Sequence, residues 1–163
     1  MTRTAIRPLT AGLIAILGLL LSGCSFNAAS AEPPTTAGPS PTADAGTAED
    51  LKVGDCLNDA ELSGIVTSVP VVPCEQPHDS EAYAEFDLDE GPYPGSDAIV
   101  ARGDAGCVEA FAAFVGIPRN ESDLAYSYYQ PTESSWPQGD RRILCEIFDP
   151  TSQTTGSLEG AAR

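Results

Sequence analysis

"SEAYAEFDLD", Ser80–Asp89, decides how this 163-residue chain folds. Ala82, Ala84, Phe86 and Leu88 alternate with Glu81, Tyr83, Glu85 and Asp87. A period of two predicts a β-strand with one apolar face turned inward and one acidic face in water. A half-wet strand of this kind belongs to an antiparallel sheet that needs one covering layer.

The cover lies just downstream. "GPYPGSDA" (91–98) breaks the strand pattern, and from about Asp97 the positions Val100, Cys107, Val108, Phe111, Phe114 and Val115 follow helical spacing up to Gly116, with Pro118 beyond. A glycine stop followed by proline ends a helix there. Gly103 and Gly106 weaken its first half, which sets its start between Asp97 and Asp104. After the helix, "DLAYSYYQP" and "RRILCEIFD" predict two more strands, the second with Ile143, Cys145 and Ile147 on one face. Upstream, "KVGDCLN" predicts a short strand broken by Gly54, and "GIVTSVPVVPC" an edge or irregular strand because of Pro70 and Pro73. The order ββ-β-α-ββ gives an α+β fold: a small antiparallel sheet of about five strands covered by one helix.

The ends of the chain read differently. Arg3 and Arg7 precede an apolar run from Leu9 to Leu21, which stops at "LLLSGCSFN" (19–27). A charged start and a short apolar core predict a secretory signal, too short for a comfortable membrane span. Leu21-Ser22-Gly23-Cys24 resembles a bacterial lipobox, which implies cleavage after residue 23 and a diacylglycerol and palmitate-type acyl anchor on Cys24; the alternative is an ordinary thiol in an uncleaved anchor helix. More than one acyl chain holds a protein stably at a membrane. Residues 24–50, with "AEPPTTAGPSPTADAGTAED" at 31–50, have no periodic apolar positions and predict a flexible linker. Residues 151–163, "TSQTTGSLEGAAR", predict a disordered tail. The folded domain is placed at 51–150.

Removal of residues 1–23 leaves six basic residues against 24 acids, a net charge of −18. Such a surface repels nucleic acid and anionic lipid. With Cys24 assigned to lipid, Cys56, Cys74, Cys107 and Cys145 form an even set in an oxidising compartment, so two disulfides are expected in one of three pairings. The elements favour Cys107–Cys145, which pins the helix to the last strand, and Cys56–Cys74, which closes the first hairpin-like segment. Loops of these lengths contribute about 3 to 4 kcal/mol each in the chain-entropy treatment.

Candidate chemistry is sparse. The one histidine, His78 in "CEQPHDSEAY", stands in a Cys-x3-His spacing with Cys74 and close to Asp79 and Glu81. A metal site there would leave Cys56 unpaired, so no metal is assigned, and His78 is read as ordering the start of the strand by hydrogen bonding. There is no Gly-x-Ser-x-Gly turn, and Gly103 and Gly106 lack the lysine and preceding parallel strand of a phosphate loop. Asp87, Asp89 and Glu90 read as a solvated acidic face rather than a glycosidase pair. No catalytic residue and no cofactor are assigned. The aromatic and arginine cluster Tyr128, Tyr129, Trp136, Arg141 and Arg142 is the candidate binding surface, since these side chains serve most often as anchors; Tyr126 lies beside them, and Asp140 reads as a turn partner of Arg141.

"VGDCL" (53–57), "VPCEQPHDSEAY" (72–83) and "PTESSWPQGDRRILC" (131–145) together resemble the septum formation-related domain of actinobacterial envelope lipoproteins and membrane proteins. That resemblance implies an extracytoplasmic, membrane-tethered domain linked to cell division or septum formation. It brings no catalytic residue with it. The matching positions are Gly54, Asp55, Cys56, Cys74, Pro77, His78, Trp136, Gly139, Asp140, Arg141 and Cys145. The expected function is therefore a non-enzymatic, lipid-anchored binding or structural module on the outer face of the cell membrane, with an envelope protein or cell-wall component as partner. A small envelope hydrolase using His78 and a metal-binding lipoprotein are the alternatives.

Overall fold

The computed structural model describes residues 44–163, so Cys24, the signal segment and most of the linker lie outside the described residues. The strands are β1 (Asp44–Gly46), β2 (Cys56–Leu57), β3 (Val69–Val72), β4 (Ser80–Asp87), β5 (Ala125–Tyr129) and β6 (Arg142–Phe148), with one helix, α1 (Ser96–Val115). They form one antiparallel sheet in the order β1-β3-β2-β4-β6-β5. The expected α+β architecture is thus present, with one short edge strand, β1, added from the stretch read as linker.

Helix α1 packs on the sheet through Ile99, Gly103, Cys107, Phe111 and Val115, an unbroken i, i+4 row. Val100 and Val108, expected on that row, are exposed beside it. The two glycines explain the choice of face. A Cβ on Gly103 would stand 2.7 Å from Tyr128 Cε2, and one on Gly106 would overlap the Phe86 ring. Bare backbone at these two positions lets the helix approach the sheet closely, and packing overrides the low helix propensity of glycine, so the helix begins at Ser96. It ends at Gly116, which adopts the left-handed conformation (φ 94°) and donates its N–H to the Ala112 carbonyl.

Beneath α1 lies a core of Tyr83, Ile99, Cys107, Phe111, Val115, Leu124, Ile143, Cys145, Ile147 and Leu158. The opposite face is not left to water. Leu51, Leu57, Val69, Ala82 and Leu144 form a second, smaller core there. Strand β6 therefore divides its side chains between two buried layers, Ile143, Cys145 and Ile147 toward the helix and Leu144 and Glu146 away from it.

The alternation expected of β4 is corrected at its middle. Opposite β6 the register slips between Ala82 and Ala84, a β-bulge that leaves Tyr83 without a direct partner. Ala82 therefore packs in the second core, whereas Tyr83 and Ala84 both contribute to the core under α1. Tyr83 and Glu81, expected in water, are both buried. The Tyr83 hydroxyl donates to the Cys107 carbonyl at 2.7 Å.

Both expected disulfides are present, Cys56–Cys74 with Cα atoms 5.3 Å apart and Cys107–Cys145 at 5.6 Å. The tail expected to be disordered is instead part of the fold. Thr154 bridges His78 in an antiparallel pair, Gly156 N–H donates to the Cys74 carbonyl, and Gly160 and Ala162 N–H groups donate to Phe114 and Val115 at the end of α1. Leu158 enters the main core. One large apolar residue in a polar segment carries no periodicity, which is why the sequence pattern does not reveal this docking.

Candidate functional site

The five residues of the expected binding surface do not share a surface. Tyr128 lies across α1, its hydroxyl donating to the Val100 carbonyl and to Asp104 Oδ1, both at 3.2 Å. Tyr129, its neighbour on β5, points to the other side of the sheet and donates to Asp59 Oδ2 at 2.9 Å. Trp136 is buried and donates its indole N–H to the Gly91 carbonyl at 2.8 Å. The Arg141 guanidinium stacks 3.8 Å above the Trp136 ring and donates to the Trp136 and Asp140 carbonyls. Arg142 donates to the carbonyls of Leu51 and Ala48, each at 2.7 Å, and so fastens the segment before β2 to β6. A planar guanidinium with five donors suits this clamping of backbone oxygens. Trp136, Arg141 and Arg142 are therefore anchors of the fold.

His78 is fully buried. Its Nδ1 donates to the Gln76 carbonyl at 2.9 Å, and Nε2 faces the Thr154 hydroxyl at 3.1 Å. Nδ1 orders the turn before β4 and Nε2 ties it to the C-terminal segment, as the hydrogen-bonding reading expects.

A pocket of about 520 Å³ opens on the sheet face opposite α1. Its polar floor comes from Asp59, Ser127, Tyr129 and Glu146, and its apolar flank from Leu62, Val66, Phe148 and Pro150. Strand period brings three of the floor residues, with Ser127 and Glu146 direct cross-strand partners on β5 and β6 and Tyr129 two residues on, while Asp59 comes from the segment after β2. Asp59 accepts from Tyr129 through Oδ2 and from Ser80 through Oδ1, at 2.9 and 2.8 Å. Ser127 donates to Glu146 Oε2 at 3.0 Å. Glu146 is 4% exposed, and its Oε1 has no hydrogen-bond donor. Burial, and next the adjoining Asp59 carboxylate, push the Glu146 carboxyl up to about 9. Glu146 therefore holds its proton at neutral pH beside the Asp59 carboxyl group. Burial, then Glu146 and Asp59, also drive the Tyr129 phenol far above its usual range.

At the rim, Asp79 is held by Gln153 Nε2 and by the Ala60 N–H, at 2.8 and 3.1 Å. Asp149 pairs with Arg163 at 2.8 Å. No lysine, arginine or histidine among the described residues lines the pocket. Among the described residues, no group of three or more His, Cys, Asp or Glu side chains is placed to hold a metal ion. No described helix is long and apolar enough to cross a membrane. Of the pocket floor, sequence reasoning picked out only Tyr129. Glu146 had left a signal, a lone carboxylate inside the apolar run "RRILCEIFD".

The family described as septum formation matches residues 23–145, well over half of the chain. The chain belongs to the septum formation family. No curated protein and no solved structure matches it. In this septum formation domain the family-like motif residues are structural: Cys56–Cys74 and Cys107–Cys145 are bridged, Gly54 and Gly139 take positive φ, Asp55 accepts the Lys52 N–H, and Asp140 accepts from Ser135 and the Arg142 N–H. The matched span ends at Cys145, so Glu146 and the C-terminal segment that frames the pocket lie beyond it.

Proposed function

We propose that this protein is a lipid-anchored, extracytoplasmic binding module that acts in septum formation, held at the cell membrane by acyl chains on Cys24 and engaging an envelope protein or cell-wall component through the pocket on its sheet. The observation that carries this reading is the pocket itself. It combines polar groups with an apolar flank, as binding sites do, and it contains neither a histidine nor a cysteine nucleophile. His78, on which a hydrolase would depend, is fully buried with both ring nitrogens engaged. Family membership supports the link to septation, and the Leu21–Cys24 step supports the anchor. An acidic module on a tether fits a partner with basic groups better than nucleic acid.

The test is cell fractionation and division imaging with Cys24→Ala in place of the native residue. The expected result is loss of acyl mass on residue 24, release from the membrane fraction, and misplaced or delayed septa. A Cys24→Ala protein that stays membrane-bound, or depletion that leaves septation unchanged, would overturn the proposal.

A further inference from the structure

The floor of the pocket holds two adjoining carboxyl groups, those of Asp59 and Glu146. Taking a carboxyl group out of water is costly unless a partner compensates, and a buried oxygen without a donor is the exception that calls for an explanation. Glu146 Oε1 is such an oxygen in a side chain that is 96% buried, since its residue exposure is 4%. Hydroxyl groups of Ser80, Ser127 and Tyr129 already satisfy the other carboxyl oxygens, so Glu146 Oε1 is the one oxygen of the pair without a donor. Asp79 stands at the rim and adds negative potential; Asp149 there is paired with Arg163, and among the described residues no basic side chain lines the pocket itself. A bare metal ion does not suit the space, because a pocket of about 520 Å³ is far larger than a metal cage and one wall is apolar. That wall continues outward into the loop carrying Leu62 and Ile65, which is 78% exposed.

We propose that the pocket receives a protonated primary amine on an apolar stem, of the lysine side-chain class, with the ammonium between Asp59 and Glu146 and the stem along Leu62, Val66 and Phe148. This inference rests on the binding reading above and names its ligand class. The ammonium supplies the donor that Glu146 Oε1 lacks. The groups facing Glu146 are Asp59 from the segment after β2, Tyr129 from β5, and Asp79 and Asp149 from the rim, so an incoming positive charge favours the ionised form of Glu146. Binding therefore releases a proton to solvent, and the bound pair becomes a two-carboxylate clamp on one ammonium.

Calorimetry on the purified full-length protein at pH 7 tests this, with N-acetyl-lysine amide as probe and N-acetyl-norleucine amide and calcium chloride as comparisons, each in two buffers of different ionisation enthalpy. The lysine probe should bind saturably, at least about tenfold more tightly than the norleucine probe, with buffer-dependent heat that reports proton release. Glu146→Gln keeps the shape of the protonated side chain and should abolish the proton release and weaken binding by about tenfold or more without lowering Tm. Asp59→Asn should weaken binding likewise, which guards against a folding defect in one variant. Equal binding of both amides, binding of calcium but not the amine, or no saturable binding would overturn the proposal. Septation defects in the Cys24→Ala strain do not depend on any of these results, so failure of the ligand class and failure of the binding module are told apart.

Discussion

Glu146 is a carboxyl group that the fold keeps protonated. Its ordinary value is 4.5, and the folded value is about 9. Between these the folded chain holds a proton that the unfolded chain has released, so this group's contribution to stability is full below about pH 4.5 and is lost as pH rises toward 9. Urea midpoints at pH 5, 7 and 9 should fall in that order, and Glu146→Gln should flatten the fall; an unchanged slope in the variant would assign it to another group. His78 makes the contrasting case. His78→Ala removes a buried ring and strands the Gln76 carbonyl and the Thr154 hydroxyl, and should cost about 2 to 4 kcal/mol by urea unfolding. A catalytic histidine would instead leave the midpoint unchanged.

At the scale of the element, α1 shows how tertiary packing overrules local preference. Gly103→Ala brings two opposed effects: about 1 kcal/mol of gained helix propensity, against overlap with a Tyr128 ring that two hydrogen bonds hold in place. Overpacking of this kind costs about 1 to 3 kcal/mol, so the variant should be less stable. With Tyr128→Ala already present, the same change should stabilise the domain, and a double-mutant cycle that shows no change of sign would refute the close packing. Much of this level was legible in the sequence. The helix end at Gly116, the strands at 125–129 and 142–148, and the face of Ile143, Cys145 and Ile147 all follow from period and punctuation. The bulge at Tyr83 was not, because an extra residue in one strand is defined only against its partner strand, here β6. For the same reason Val100 and Val108 were misplaced: their spacing is helical, but the glycines decide which side of the helix meets the sheet.

The described domain is closed by its C-terminal segment. Glu81 accepts the Ser157 hydroxyl and the Leu158 N–H, both at 2.7 Å, Leu158 fills the core, and Arg163 pairs with Asp149. Thr151, through its hydroxyl and its N–H, then Arg163, hold the Asp149 carboxyl down to about 2. Deleting residues 154–163 should leave Glu81 buried without its two donors and expose the core beside His78. A loss of about 3 kcal/mol or more and rapid proteolysis are expected; a truncated chain as stable as the full one would show that the tail only rests on the surface. The disulfides act at the same scale. Cys107 and Cys145 are 38 residues apart and Cys56 and Cys74 are 18, so their removal should cost about 4 and about 3 kcal/mol respectively.

Alternation, helical spacing, turn residues and an even cysteine count are local or additive properties, and from them the sequence by itself determined the α+β class, the order of its main elements and the pairing of its cysteines. Which face each side chain presents, and where the tail docks, depend on contacts between residues distant along the chain. Asp59, Ser127, Tyr129 and Glu146 come from three separated segments, and only the pairing of β5 with β6 and the packing of the β2 segment over them brings their carboxyl and hydroxyl groups into one pocket. The tertiary structure alone decided that site, because the loss of water that raises the Glu146 carboxyl exists only once both layers close over the sheet.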